Sequence, residues 1–318
     1  MRRKGPSEGT TWLLLAAAAV GVALAPFTGM SVYLMSVAFT VMFHAALATG
    51  WNILGGYAGY ESFGHAAFVG IGAYTSGLLL AELGWSPLFT APVGALLAGV
   101  VALAVGAPVL RLRGPYFALV TLVVALAVSV VVLNLPRLGV AAGVFVPRPH
   151  DSPVMARFIL YEAMAAILVV TVVCARLVER SRIGVGLRAI REDEEVAATQ
   201  GVPTTRLKLV AFVLSAALAG LAGGIFSWSR GFLDPAEMFS TTLSVLVVLF
   251  ALFGGRRSWI GPVLGAVTVT LAREVLFVAI GEHAAQILFG SLLVVVILFM
   301  PHGLIGPRPR LVTDGGTG

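Results

Sequence analysis

The sequence predicts an all-α protein, a polytopic integral membrane helical bundle of about ten transmembrane helices with both termini cytoplasmic. Three observations predict it. Of 318 residues, 58% are hydrophobic and 11% charged, less than half the charged share (about 25%) of an average soluble protein. Mean hydropathy is +0.98, and apolar runs of the roughly 20 residues needed to cross a bilayer recur along the chain. No polar stretch reaches the ~50 residues of a small soluble domain, so residues 1–318 read as a single transmembrane domain.

Taken in order, the spans fall at 11–29, 32–54, 62–82, 88–108, 115–135, 156–176, 207–229, 239–254, 259–280 and 285–301. The first follows Arg2, Arg3 and Lys4. With Ala23 to Ala25 at its end it also fits a signal peptide, but an uncleaved span is expected, and either way the second span starts outside. The breaks between spans are turn residues: Pro26, Gly55-Gly56, Trp85-Ser86-Pro87, Gly114-Pro115, the proline-rich loop 136–153, Asp234-Pro235, Gly254-Gly255 and Gly281. Ten spans with the N-terminus inside put 16 of the 21 cations in cytoplasmic segments. Arg137, Arg148, Arg157 and Arg230 fall outside, and Arg273 lies within a span. The net charge of +6 therefore follows the positive-inside rule and does not call for a nucleic-acid partner.

Several chemistries are missing. The two lysines, Lys4 and Lys208, lack the upstream glycines of a phosphate loop, so ATP is not bound by that motif. There is no H-E-x-x-H and no G-x-S-x-G, and the five histidines have no metal-ligand spacing, which leaves a membrane enzyme with little support. Cys174 reads as an inert small hydrophobe. No span carries the run of acids and histidines expected of a proton-coupled pump, which weighs against a secondary transporter acting alone. Arg273 and Glu274 are adjacent within the ninth span and point about 100° apart, so they cannot share one partner. They mark either a pathway or contacts to another helix or the outer interface. Glu162 reads as interfacial.

Glycines punctuate the entry to the third span, "GGYAGYESFGHAAFVGIGAYTSG" at 55–77. Small residues at G-x-x-x-G spacing, here Gly55 to Gly59, Gly220 to Gly224 and Gly261 to Gly265, let helices approach closely. Glycines can also break a helix where it lines a cavity. The polar neighbours Tyr60, Glu61, Ser62, Phe63, Gly64 and His65 mark this stretch as the candidate translocation pathway. A faint echo, "GGRRSWIGPVLGA" at 254–266, fits an old duplication or chance.

The densest polar stretch is "LRAIREDEEVAATQGVP" at 187–203, with six charges between Arg188 and Glu195. Residues 192–200 read as a helix about 13 Å long. Its acids sit in the first turn, Gly201 takes the C′ position and Pro203 stops it. Leu187, Ile190, Val196 and Ala197 offer apolar contacts. The stretch is either a docking helix or a solvated loop that orients the chain.

Five blocks together resemble the permease subunit of branched-chain amino acid ABC importers, LivM-type branch: "GYESFGHAAFVGIGAYTSGLL" (59–79), "LRGPYFALVTL" (112–122), "SRIGVGLRAIREDEEVAATQGVPTTRLKLVAFVLSAALAGLAGGIF" (181–226), "GGRRSWIGPVLGA" (254–266) and "FMPHGLIG" (299–306). They stand in family order across almost the whole chain. Urea and other amide or amino acid importers share the framework, so the blocks specify the family better than the cargo. The resemblance implies one permease domain over 1–318 with a cytoplasmic coupling loop at 177–206. It implies a second homologous permease, two ABC ATPases that bind the ATP and Mg, and an extracytoplasmic solute-binding protein, all at the bacterial inner membrane. It also implies the coupling motif, Glu195-Val196-Ala197 followed by Gly201, with Arg188 and Glu192 beside it. Val196 replaces the usual first alanine, and the outer loop 136–153 lacks the usual Thr-Gly-Gly-like turn.

Overall fold

The computed structural model describes residues 8–134, 143–281, 290, 291, 303 and 304. Most of the predicted tenth span, 285–301, both extreme termini and most of the first half of the loop 136–153 lie outside these residues. Twelve α-helices are described: α1 (Glu8–Leu24), α2 (Val32–Gly55), α3 (His65–Leu83), α4 (Pro87–Val109), α5 (Pro115–Leu133), α6 (Pro153–Arg180), α7 (Arg182–Glu192), α8 (Glu194–Thr199), α9 (Thr204–Arg230), α10 (Pro235–Met238), α11 (Thr241–Gly254) and α12 (Ile260–Ile280). Among the described residues nine segments are long and apolar enough to cross a membrane, one of them joining α10 to α11. They match the first nine predicted spans to within a few residues at most ends. The expected all-α class holds apart from one short ladder, β1 (Val144–Phe145) antiparallel to β2 (Phe232–Leu233).

Local signals explain the boundaries. Ser31 caps α2 by accepting from the Leu34 amide, and α4, α5, α6 and α10 each place proline in the first turn, where no backbone donor is lost. The membrane-spanning helices are oily on nearly every side, as expected where lipid rather than water surrounds them. Leu119, Val123 and Val131 of α5 are exposed, as are Leu13 and Val20 of α1, whereas α2, α3 and α9 are buried along much of their length.

The centre of the bundle is a glycine junction. Gly72 of α3, Gly94 of α4 and Gly220 of α9 meet backbone to backbone, so a Cβ on Gly72 would collide with the Gly220 carbonyl. This is the close-packing reading of the glycines, and Gly261 and Gly265 repeat it between α11 and α12. Gly55, Gly56 and Gly59 do something else: they end α2 and open an irregular stretch before α3.

Candidate functional site

The charged stretch folds as two helices, not one. Asp193 is extended and breaks the predicted 192–200 helix; its carboxylate then caps α8 by accepting from the Glu195 and Val196 amides at 2.9 and 3.0 Å. Glu192 therefore ends α7, while Glu194 and Glu195 open α8. At the far end Gly201 has φ +81°, Val202 N–H donates to the Ala197 carbonyl and Gly201 N–H to that of Ala198. This is the αL cap that the sequence places at Gly201, and only glycine adopts it freely.

The α7–α8 pair is tied to the spans by its inward groups. Leu187, Ile190 and Ala197 are buried. Arg188 donates to the Glu179 carbonyl at the end of α6, and Arg191 to the Gly56 carbonyl past the end of α2. Glu194 is the hub. Lys208, buried at the start of α9, uses its three donors on Glu194 (2.6 Å), the Tyr60 hydroxyl (2.9 Å) and the Leu110 carbonyl (3.1 Å). Tyr60 donates in turn to the other Glu194 oxygen. Arg113, in the α4–α5 turn, reaches Glu194 at 3.6 Å and Glu195 at 2.7 Å. Burial pushes the Glu194 carboxyl up, but hydrogen bonds from Lys208 and Tyr60 and the charges of Lys208 and Arg113 outweigh it and hold it below the usual carboxylate range. Burial, then the bond to Glu194, pushes the Tyr60 phenol above its ordinary value, so it stays a donor.

Residues 33–299 match the family described as branched-chain amino acid transport system, permease component. The chain belongs to this family. It is 30% identical over 311 residues to the high-affinity branched-chain amino acid transport system permease protein LivM of Salmonella typhimurium, covering 89% of this chain and 72% of that one. LivM of Escherichia coli K12 gives the same identity and coverage. LivH of that strain is 26% identical over 84% of this chain and 92% of its own. No solved structure matches significantly. Nine apolar spans and these relatives make the permease a multi-pass protein of the inner membrane.

All six residues at 60–65 are tied to the rest of the permease, with Tyr60, Ser62, Gly64 and His65 buried. Tyr60 joins the hub, and Glu61 pairs with Arg256 of the α11–α12 turn. The Ser62 carbonyl accepts from Trp51 at 2.7 Å, the Phe63 amide donates to Thr121 at 3.0 Å, and Gly64 sits against the Thr121 backbone. His65 Nε2 lies 3.1 Å from the Ser215 hydroxyl, which itself donates to the Gly50 carbonyl. Irregular backbone is tolerated here because protein groups satisfy it. Beside it Arg176 lies between the Trp12 and Trp259 rings, 5.1 Å from each centroid, joining α6 to α1 and to the start of α12.

The structure thus gathers Arg188, Ala197 and Gly201 with Tyr60 at one end of the bundle and leaves Glu192 and Glu195 mostly exposed. Sequence reasoning missed Glu194, Lys208 and Arg113. A signal for Lys208 was present: one of only two lysines stands at the cytoplasmic start of a span, close to four acids.

Proposed function

We propose that this chain is a transmembrane subunit of an ATP-driven importer that moves branched-chain amino acids inward, with the hub end of the bundle in the cytoplasm. The observation that carries the coupling role is the α7–α8 pair. Its inner side is bonded to the ends of α2 and α6, to Arg113 of the α4–α5 turn and to the start of α9, while Val185, Val196 and Glu195 remain exposed on its outer side. Exposed valines beside an exposed carboxylate suit docking by a protein partner. The partner set is a second homologous permease, two ATPases that bind ATP and Mg, and an extracytoplasmic binding protein, with 1–318 as one permease domain and 177–206 as its coupling loop. Arg188, Glu192, Glu195, Ala197 and Gly201 form the coupling element. The Tyr60–His65 segment passes its motion to α3, because Tyr60 is held by Glu194 and His65 begins the helix. Substrate class follows the names of the relatives.

Reconstitution of the two permeases and two ATPases in proteoliposomes, together with the binding protein, tests this. Leucine uptake is expected only with ATP and the binding protein. Uptake by the permease alone, without ATP, overturns the reading in favour of a secondary transporter.

A further inference from the structure

At the opposite end of the bundle from the hub lies a second polar feature, lined by Arg273 and Glu274 and by none of residues 60–65. It is a cleft of about 520 Å3 between α2, α6, α9, α10, α11 and α12. That volume lies within the roughly 300–1,000 Å3 range of small-molecule sites. We propose that this cleft binds a free zwitterionic amino acid on its way through the permease, a reading that rests on the transport function above.

The walls carry charges of both signs. Arg230 pairs with Glu237. The other three are left over: among the described residues, Arg157 and Arg273 have no carboxylate partner, and Glu274 accepts only a neutral hydroxyl, that of Tyr33, at 2.8 Å. Arg273 stands seven residues before the end of α12, about 10 Å below that end at 1.5 Å per residue. Placing an arginine at the centre of a span costs about 2.5–3.5 kcal/mol on insertion scales, so its presence asks for a function. Although Arg273 and Glu274 point apart, both reach this one cleft. An amino acid supplies what they lack, a carboxylate for the guanidiniums and an ammonium for Glu274, through charge-assisted hydrogen bonds.

The floor is apolar and closed. Phe43 stacks on Phe226 at 4.2 Å, and Phe39 is buried beside them. His44, with its Nδ1 3.0 Å from the Thr270 hydroxyl, lies about 18 Å along α2 from its outer start. Beyond it Leu47 and Trp51 are fully buried. A ligand here would put its charged end among the arginines and its aliphatic end on the phenylalanines, near mid-membrane, where transporters place substrate.

The test is protection from chemical labelling in the assembled transporter. Thr40→Cys, on the cleft wall, is made in a Cys174→Ser background and modified with a membrane-impermeant anionic methanethiosulfonate. L-leucine at about ten times its Kd is expected to slow labelling about tenfold. Leucine methyl ester, which lacks the carboxylate, and the α-keto acid of leucine, which lacks the ammonium, are expected to give no protection. Arg273→Gln should abolish protection while leaving labelling intact. Glu274→Gln, which keeps a partner for Tyr33, should do the same. Normal leucine uptake with no protection by any amino acid overturns the cleft and leaves the transport function standing. Protection by a different amino acid, matched by its uptake in place of leucine, supports the cleft and overturns the branched-chain reading.

Discussion

At the scale of single residues the decisive contact is Lys208 with Glu194, 2.6 Å apart, the lysine 3% and the glutamate 14% exposed. Lys208→Met removes the one cation that touches both Glu194 and Tyr60. Leaving a nearly buried carboxylate short of its partner is expected to cost about 1–3 kcal/mol, with Arg113 at 3.6 Å limiting the loss. A lower melting temperature, with membrane insertion unchanged, checks this. The pH dependence has a definite sign. Glu194 is held below the usual carboxylate range in the folded state, so its contribution is fully present above the ordinary glutamate value. It is lost as pH falls through the depressed folded value. Glu194→Gln should therefore melt below the parent protein near neutral pH, and the gap should close once pH drops well below about 4. A gap that widens in acid would contradict the assigned charge state. The sequence reading marked Glu192 and Glu195 and passed over Glu194, because four adjacent acids look alike until the break at Asp193 decides which one turns inward.

At the scale of elements, α8 is six residues held by two caps, and such a helix has little stability of its own. Its sequence signals were half legible. Gly201 and Pro203 announced the C-terminus, and the C′ assignment stands; the N-terminus moved from 192 to 194 because Asp193 is worth more as a cap than as a helical residue. Asp193→Ala is expected to cost about 0.5–2 kcal/mol of helix stability, seen as faster amide exchange over 194–199. Gly201→Ala forces a Cβ into the left-handed region, about 1–2 kcal/mol, although space beside it is open. Both variants should leave ATP hydrolysis by the assembled transporter running while leucine uptake falls severalfold, since the peg loosens without unfolding the spans. The glycine junction responds differently. Gly220→Val drives a branched side chain into Ala98 and the Gly94 carbonyl, so a loss of folded bundle is expected, read as aggregation on size-exclusion chromatography.

At the scale of the whole molecule, the order and placement of the first nine spans were legible because lipid imposes a length on every crossing helix. The cleft was not, because it is assembled from six helices whose charged residues stand far apart in sequence. Sidedness rests on charge, and the fold sharpens it. The ends of α2, α4, α6 and α11 and the starts of α3, α5, α9 and α12 gather with α7 and α8, so Arg113, Arg188, Arg191, Lys208 and Arg256 crowd one end. The β1–β2 ladder and Arg230 lie at the other. Retention of cations on the cytoplasmic side during insertion predicts α8 inside and the ladder outside. Two exposed positions report on this: Val196, 56% exposed on α8, and Phe145, 78% exposed on β1. In a Cys174→Ser background, a membrane-impermeant maleimide added to intact spheroplasts should label Phe145→Cys and spare Val196→Cys. Inverted vesicles should show the opposite pattern. Labelling of Val196→Cys in sealed spheroplasts would place the helix pair on the side without ATP, and the coupling role of Glu195, Ala197 and Gly201 would fall with it.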